Sequence, residues 1–252
     1  MKIGSLFSGI GGLELGLEWA GVGETVWQVE QDAYCQRVLA KHWPNATRYD
    51  DVRMVGAHNL ESVDVICGGF PCQDISYAGK GAGLRGERSR LWFEFQRVVA
   101  ELRPEWVVVE NVAAIEGKPH RGALHAVLGG LRSLGYSGER AIVSAADVGA
   151  PHRRDRWFLL AHAERAGLPR PIAEHGAPVR SPSAHSEHRD ATAHPWVGLE
   201  GDRRSLRSAD GVSVAMERRR IRALGNAVVP QCAEVVGRRL LAIHAERCGV
   251  AA

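Results

Sequence analysis

Short apolar runs alternate with amphipathic stretches along the first two thirds of the chain. Residues 63–67, with Asp64 as their one polar residue, and residues 106–109 form short apolar runs, a pattern typical of parallel strands that are buried on both faces. Similar patterns predict strands at 2–7, 25–30, 141–145 and 157–161. Helical periodicity lies between them, in a first helix that ends at residue 20 and in 32–42, 91–102 and 123–134. This alternation predicts an α/β fold with a doubly wound, mostly parallel sheet.

The character of the sequence changes between residues 162 and 216. This stretch is rich in Pro, Ser, His, Arg and Gly and has almost no apolar periodicity. Its composition fits a small irregular insert and equally a disordered segment. Periodic sequence returns at Ile221, and residues 231–245 predict an amphipathic helix. We therefore predict a main domain at 1–161, a variable region at 162–217, and a C-terminal segment at 218–252 that returns to the main domain.

The composition is that of an ordinary globular protein: 252 residues, 45% of them hydrophobic and 24% charged. No run approaches the roughly 18 apolar residues of a membrane span, and the N-terminus lacks the layout of a signal peptide. We therefore expect a cytoplasmic protein with no membrane partner. The five cysteines are an odd number without CxxC spacing, which predicts neither a disulfide framework nor a metal site.

The net charge is only +3, but the positive residues are nearly all arginine, with lysine at four positions alone. Arginine binds phosphate groups and guanine edges bidentately, although genome composition would produce the same bias. Charge by itself therefore leaves nucleic-acid binding open.

Cys72 lies in the segment Gly68-Gly69-Phe70-Pro71-Cys72-Gln73, directly after the predicted strand at 63–67. Active sites of open α/β sheets lie at the carboxyl ends of the strands, and Pro71 restricts the backbone of the turn. A thiol at such a place can reach a substrate as a thiolate. A lone cysteine is more often a small buried hydrophobe, so the other motifs must decide between these interpretations.

A glycine-rich turn, Phe7-Ser8-Gly9-Ile10-Gly11-Gly12, follows the first predicted strand and opens a helix. Its glycines permit a ligand to approach the backbone and the helix N-terminus closely, although such turns also serve strand-to-helix packing. The next predicted strand ends at Glu30, about 20 residues later, where an acid can hold both hydroxyls of a ribose. Together these features predict a nucleoside-containing cofactor, with a glycine spacing that disfavours a dinucleotide.

Three further motifs complete an ordered set: Glu110-Asn111-Val112, His152-Arg153-Arg154-Asp155-Arg156, and Gly225-Asn226-Ala227-Val228-Val229-Pro230. In content and order the five motifs resemble the C5-cytosine-specific DNA methyltransferases of bacteria and phages. The resemblance covers nearly everything outside residues 162–216. It implies a seven-stranded, Rossmann-like methyltransferase sheet and transfer of a methyl group from S-adenosylmethionine to C5 of cytosine in double-stranded DNA, without a metal.

The resemblance also implies the cofactor-binding residues, which are Phe7, Gly9, Gly11, Gly12, Glu30, Asp51, Pro71, Trp92, Asn226 and Ala227. In this assignment Glu30 binds the ribose and Asp51 the adenine amino group, with Asp50 as the competing choice. Gln31 stands where the family usually has a bulky apolar residue that packs on adenine.

Four catalytic residues are implied in the same way: Cys72, Glu110, Arg154 and Arg156. Cytosine C5 is too weak a nucleophile to take a methyl group directly, so Cys72 first attacks C6 and forms a covalent adduct. Glu110 acts as a buried acid at N3, and the two arginines contact O2 and its surroundings. His152 stands where the family commonly has glutamine, and it can still hydrogen-bond.

Each of these residues has a plainer interpretation when it is taken singly. Glu110 would be a solvated acid at a strand end, and residues 152–156 a salt-bridged surface turn. Residues 74–90, which combine glycines with arginines, would be either an exposed loop or a lid that contacts DNA phosphate while the base is flipped out of the duplex.

The variable region stands where the family keeps its target-recognition region, and its arginines, with four more at 218–222, could grip DNA. We expect such an enzyme to be a monomer, to bind double-stranded DNA, and to have a cognate restriction endonuclease. Three other functions remain open: methylation of RNA, on which one branch of the family acts, a DNA-binding regulator without catalysis, and a thiol hydrolase. The intact Cys72, Glu110 and Arg154 argue against the regulator, and the lack of a histidine placed by sequence beside Cys72 argues against the hydrolase.

Overall fold

The computed structural model describes residues 1–71, 90–164, 173–174 and 214–249. One mixed sheet runs through this part of the chain, with strands in the order β3-β2-β1-β4-β5-β7-β6-β8. Strands β1 to β5 are mutually parallel, and β7 runs antiparallel to its neighbours β5 and β6. The strands are β1 Lys2–Leu6, β2 Glu24–Val29, β3 Thr47–Tyr49, β4 Val65–Gly69, β5 Trp106–Val112, β6 Tyr136–Ser144, β7 Asp155–Ala163 and β8 Ala173–Glu174.

This sheet confirms the predicted doubly wound, mostly parallel α/β fold. Seven strands form its body, and β8 adds two residues that pair with β6 from within the region predicted to be irregular. Strand β3 was not predicted, because three residues are too few to show a period. Strand β6 begins five residues earlier than predicted, because charged side chains interrupt the apolar pattern in its first half. In the structure Arg140 pairs with Glu116 over 3.0 Å, and Glu139 pairs with Arg239 over 2.7 Å.

The described part of the chain contains six α-helices: α1 Gly12–Trp19, α2 Ala33–His42, α3 Arg90–Leu102, α4 Arg121–Ser133, α5 Val214–Asn226 and α6 Pro230–Cys248. One apolar core lies between the sheet and helices α3 and α4, and a second lies between the sheet and helices α1 and α6. Helix α2 begins at Ala33 because the Asp32 carboxylate accepts hydrogen bonds from the amides of Tyr34 and Cys35. None of the six is long and apolar enough to span a membrane.

Helices α1 and α6, from opposite ends of the chain, pack against each other at unusually short range. A Cβ atom added at Gly16 would overlap the carbonyl oxygen of Pro230, and one at Gly237 would lie 2.6 Å from the Cβ atom of Ala20. Only glycine permits such an approach. This contact brings the last described segment of the chain beside the glycine turn that precedes α1.

Candidate active site

The predicted site residues collect at the carboxyl edge of the sheet. Strand β4 ends at Gly69, which lies in register with Glu110 on the neighbouring strand β5. Phe70 and Pro71 follow β4, the first buried and the second exposed. Cys72, the next residue in the chain, lies outside the described residues. The structure therefore shows the approach to the proposed nucleophile, and the role of Cys72 stays a prediction.

Glu110 and Arg156 form a buried ion pair at this edge. The Arg156 Nε atom lies 2.8 Å from Glu110 Oε1, and the two side chains are only 14% and 10% exposed. A Cβ atom added at Gly69 would lie 2.6 Å from Glu110 Oε2, so the glycine of the neighbouring strand leaves room for the carboxyl group. Glu110 is thus not the solvated acid of the plainer interpretation.

Burial raises the pKa of Glu110 to about 7, although the nearby guanidinium groups of Arg156 and Arg154 act in the opposite direction. Desolvation disfavours the charged carboxylate, and this effect exceeds the attraction of the two cations. Near neutral pH the carboxyl group is therefore divided between its acidic and basic forms, which is the property required of a general acid.

Asn111 fixes the turn that leads to residue 72. Its side-chain amide donates a hydrogen bond to the carbonyl oxygen of Phe70 over 2.9 Å, and its Oδ1 atom accepts one from the amide of Val112. The Phe70 ring packs against Trp92, with ring centroids 5.2 Å apart. Trp92 is almost fully buried and stacks on Phe95. The side chain of Trp92 therefore packs against the turn after β4 through the ring of Phe70.

The sequence left open whether residues 152–156 are a salt-bridged surface turn or carry site arginines, and the segment has features of both. Arg153 is 83% exposed and pairs with Asp155 over 3.3 Å, as in a surface turn. Arg154 and Arg156 are directed inward. Arg154 donates hydrogen bonds from Nη2 to the carbonyl oxygens of Gly225 and Ala227, the latter over 2.8 Å. It thereby holds the segment that contains Asn226.

The glycine turn after β1 contains three residues in the left-handed backbone region. Phe7 and Gly9 both have φ near 57°, in the left-handed region, and Gly11 has φ 88°. Glu30 secures this turn, since its Oε2 atom accepts a hydrogen bond from the amide of Gly9 over 2.7 Å. Its other oxygen accepts one from the amide of Asp32 over 2.7 Å. A Cβ atom at Gly9 would meet no atom of the described residues within 4 Å, so on their side the turn leaves room for a ligand.

The two remaining glycines of the turn have packing roles that sequence analysis missed. A Cβ atom at Gly11 would overlap the Trp43 ring, and one at Gly12 would overlap the carbonyl oxygen of Val228. Gly12 thus allows the segment after Asn226 to close against the turn. The signal for this role is absent from local sequence, because Val228 lies more than 200 residues away.

Asp50 and Asp51 lie beside Glu30 at the same edge, directly after β3, whose Tyr49 carbonyl oxygen accepts a hydrogen bond from the amide of Glu30. The carboxylate of Asp51 pairs with Arg53 over 2.7 Å, and the hydrogen bonds from Arg53 lower the pKa of Asp51. Asp50 and Gln31 are exposed. The choice between the two aspartates for adenine binding stays a prediction.

The buried thiol of Cys232 lies near Arg154, Arg156 and Glu110. Burial raises its pKa to about 12, so it is a neutral packing group of α6 and not a second nucleophile. Among the described residues, no three His, Cys, Asp or Glu side chains are placed to hold a metal ion.

The doubly wound sheet, the glycine turn with a strand-end acid beside it, and the buried acid–arginine pair on the neighbouring strands define the class as the Rossmann-like methyltransferase fold. Residues 1–198 match the model of the C-5 cytosine-specific DNA methylase family, and the chain belongs to that family.

Curated relatives include the type II methyltransferase M.Bsp6I of a Bacillus species, 32% identical over 162 residues, which are 64% of this chain and 51% of the relative. Another is M.HhaI of Haemophilus parahaemolyticus, 33% identical over 155 residues, which are 62% of this chain and 47% of the relative. The chain thus spans about half the length of the curated relatives it matches.

Among solved structures, a candidate DNA modification methyltransferase encoded within an E. coli prophage matches with a TM-score of 0.55 and 28% identity, over 69% of this chain and 52% of that one. The Dnmt2 methyltransferase of S. pombe matches with a TM-score of 0.51 and 20% identity, over 66% of this chain and 51% of that one. The second similarity supports the fold alone.

Proposed function

We propose that this protein transfers a methyl group from S-adenosylmethionine to C5 of cytosine in double-stranded DNA, through a covalent bond between Cys72 and C6 of a flipped-out base. One observation carries the proposal most strongly. The buried Glu110, paired with Arg156, lies at the end of β5 in register with Gly69, three residues before Cys72 in the chain. An acid whose pKa is raised by burial beside the start of the segment that leads to Cys72 supports this assignment.

The residues around the glycine turn fit the cofactor. Glu30 bonds the amide of Gly9, and its carboxylate can accept hydrogen bonds from ribose hydroxyls in addition to those from the backbone. Asn226 and Ala227 close the pocket from the C-terminal side, in a segment held by Arg154. When bound, S-adenosylmethionine supplies a methyl group on a sulfonium centre.

Cys72 acts as the nucleophile at C6, and Glu110 donates and later recovers the proton at N3. The Cys72 thiolate forms a bond to C6, the displaced electron pair moves towards N3, and Glu110 donates its proton there. C5 is then enamine-like and can take the methyl group. Loss of the C5 proton to a base, which we assign to water, expels the thiolate, and Glu110 recovers the N3 proton.

Arg156 makes this proton transfer reversible. Once Glu110 has given up its proton, the carboxylate remains in a site from which water is largely excluded. The guanidinium group at 2.8 Å stabilises that charge, while burial keeps the neutral form accessible at the same pH. The acid can therefore donate and recover a proton in each turnover.

Because the target base is paired inside a duplex, the enzyme must extrude it before Cys72 can reach C6. We assign the residues between Cys72 and Arg90 to the lid over the flipped base, and residues 162–217 to recognition of the flanking sequence. Both segments lie largely outside the described residues.

The test is methyl transfer by the purified protein from labelled S-adenosylmethionine to unmethylated duplex DNA and, in parallel, to transfer RNA. We expect label in DNA, with the target site read by bisulfite sequencing. Cys72→Ser should abolish transfer and leave cofactor binding nearly intact. DNA containing 5-fluorocytosine should trap a covalent complex, because fluorine cannot leave as the proton does.

Label found in transfer RNA alone would show that the substrate is RNA and not DNA. DNA binding without any methyl transfer would instead favour the non-catalytic regulator. An active enzyme that forms no trapped complex would refute the covalent route.

A further inference from the structure

A second buried acid, Glu14, lies beneath the glycine turn, in the first turn of α1. It is completely buried, as is Gln28 on β2. Sequence analysis overlooked it, although an acid among Leu13, Gly16 and Leu17 on the inward face of a short helix is itself a signal. Within the described part of the chain only Glu110 is a comparably buried acid, and Glu110 has Arg156 as a counterion.

The groups that face the Glu14 carboxyl are neutral. They are the hydroxyls of Ser5 and Ser8 and the side-chain amide of Gln28, whose Nε2 atom lies 3.4 Å from Glu14 Oε1. The titratable group on the adjacent strand β4 is the buried Cys67 thiol, whose pKa is raised by burial and then by Glu14. Burial likewise raises the pKa of Glu14 to about 7.

The hydrogen-bond pattern of this cluster lacks a donor. Among the described residues, neither Glu14 Oε2 nor Gln28 Oε1, both buried acceptors, has a hydrogen-bond partner. A proton on the carboxyl group would convert one of these two acceptors into a donor, so that acid and amide become complementary. An ionised carboxylate would instead leave both oxygens competing for the donors of Ser5, Ser8 and Gln28, at a cost that buried polar groups rarely bear.

These donors are the ones that fix the glycine turn. The Ser8 hydroxyl donates to Ser5 Oγ over 2.9 Å, and the Ser8 amide donates to the carbonyl oxygen of Val29 over 3.1 Å. Ser8 lies between Phe7 and Gly9, the two residues with φ near 57°. A change in what the Ser8 hydroxyl bonds to is therefore a change at the centre of the turn.

We propose that Glu14, in its neutral form, is a positioning residue for the cofactor-binding turn, and that its ionisation weakens cofactor binding. The proposal rests on the assignment of this turn to S-adenosylmethionine. Glu30 holds the turn through Gly9, and the Glu14 carboxyl group faces the Ser8 hydroxyl from the sheet side.

The experiment measures the Kd of S-adenosylhomocysteine by calorimetry between pH 6 and pH 8 for the full chain and for Glu14→Gln. A ligand that requires neutral Glu14 should bind the native protein about tenfold more weakly at pH 8 than at pH 6. Glu14→Gln mimics the protonated acid and should keep nearly the pH 6 affinity throughout. Comparison at equal pH cancels the titration of the ligand itself. Glu24→Gln, the same change at an exposed acid, should retain the native pH dependence.

A second readout needs no ligand. Because the folded state holds a proton on Glu14 that the unfolded chain loses, the Tm of the native protein should fall relative to that of Glu14→Gln as the pH rises from about 4.5 to 7. Ser8→Ala keeps the Glu14 carboxyl group but removes the Ser8 hydroxyl that faces it. This variant should bind S-adenosylhomocysteine more weakly, and its Kd should depend less on pH.

The proposal is overturned if Glu14→Gln shows the same pH dependence of Kd as the native protein, or if the native Kd does not vary with pH. Failure of every variant to bind S-adenosylhomocysteine at any pH would overturn the cofactor assignment, and the positioning role with it. The relative Tm values would still show whether Glu14 is neutral in the fold.

Discussion

The side-chain amide of Asn111 donates a hydrogen bond to the carbonyl oxygen of Phe70 over 2.9 Å. This contact joins the end of β5, which carries Glu110, to the turn after β4, which leads to Cys72. The strand that carries the acid is thus joined to the turn that precedes the proposed nucleophile by a residue that does neither chemistry.

Asn111→Ala should reduce kcat for methyl transfer by about 10- to 100-fold, because small misplacements of reacting groups are costly. The KM for cofactor should change little. The free energy of unfolding should fall by roughly 1–3 kcal/mol, since the buried Phe70 carbonyl loses its partner. Single-turnover kinetics and urea unfolding would measure both effects.

Asn59→Ala is the matched control, because Asn59 also bonds one carbonyl oxygen and one amide, at Met54 and Gly56, away from the site. It should leave kcat unchanged. Equal losses of kcat in the two variants would indicate general destabilisation and contradict a positioning role.

Glu110 should give the rate of methyl transfer an alkaline limb. Burial raises the pKa of Glu110 to about 7, so the fraction able to donate a proton falls as the pH rises through that value. The single-turnover rate of the native protein, divided by that of Glu110→Gln at the same pH, should therefore decline above about pH 7. Glu110→Gln should lower the rate by roughly 100-fold or more and remove this limb. A ratio that does not decline up to pH 9 would contradict an acid role for Glu110.

Arg154 should act on cofactor affinity through the segment that it holds. Arg154→Lys replaces a guanidinium that donates to two carbonyl oxygens, so the segment against Gly12 should loosen and the Kd of S-adenosylhomocysteine should rise about tenfold, the effect of one lost charge-assisted hydrogen bond. Arg153→Lys, at the exposed neighbour, should leave the Kd unchanged. If Arg154→Lys lowered kcat at constant Kd, the side chain would instead belong to the cytosine site.

Gly16→Ala tests the close contact between α1 and α6. The added methyl group would overlap the Pro230 carbonyl oxygen, a backbone atom that cannot move aside alone, so the free energy of unfolding should fall by about 1–3 kcal/mol. Gly129→Ala in α4, where nothing lies within 4 Å, should instead add roughly 0.5–1 kcal/mol through helix propensity. Urea unfolding distinguishes the two, and equal effects would show that the α1–α6 contact tolerates a side chain.

The sequence by itself determined the fold class, most helices and strands, and the identity of the motif residues. These depend on local features: the period of apolar residues, the glycines of a turn, and the order of short motifs. It placed Glu110 at a strand end and Glu30 some 20 residues after the glycines, and the structure brings both to the same edge of the sheet. It also predicted the helix at 231–245, found as α6 Pro230–Cys248.

Only the tertiary structure decided which charged groups are buried and what they contact. The first half of strand β6 could not be predicted from the sequence, because the partners that neutralise Glu139 and Arg140 come from distant segments. Arg154 finds its carbonyl partners more than 70 residues away, and Gly12 meets Val228. The pKa values of Glu110 and Glu14 follow from desolvation, which depends on every element packed around the carboxyl group. Periodicity is local and can be read along the chain, whereas burial and long-range pairing exist only once the chain has folded.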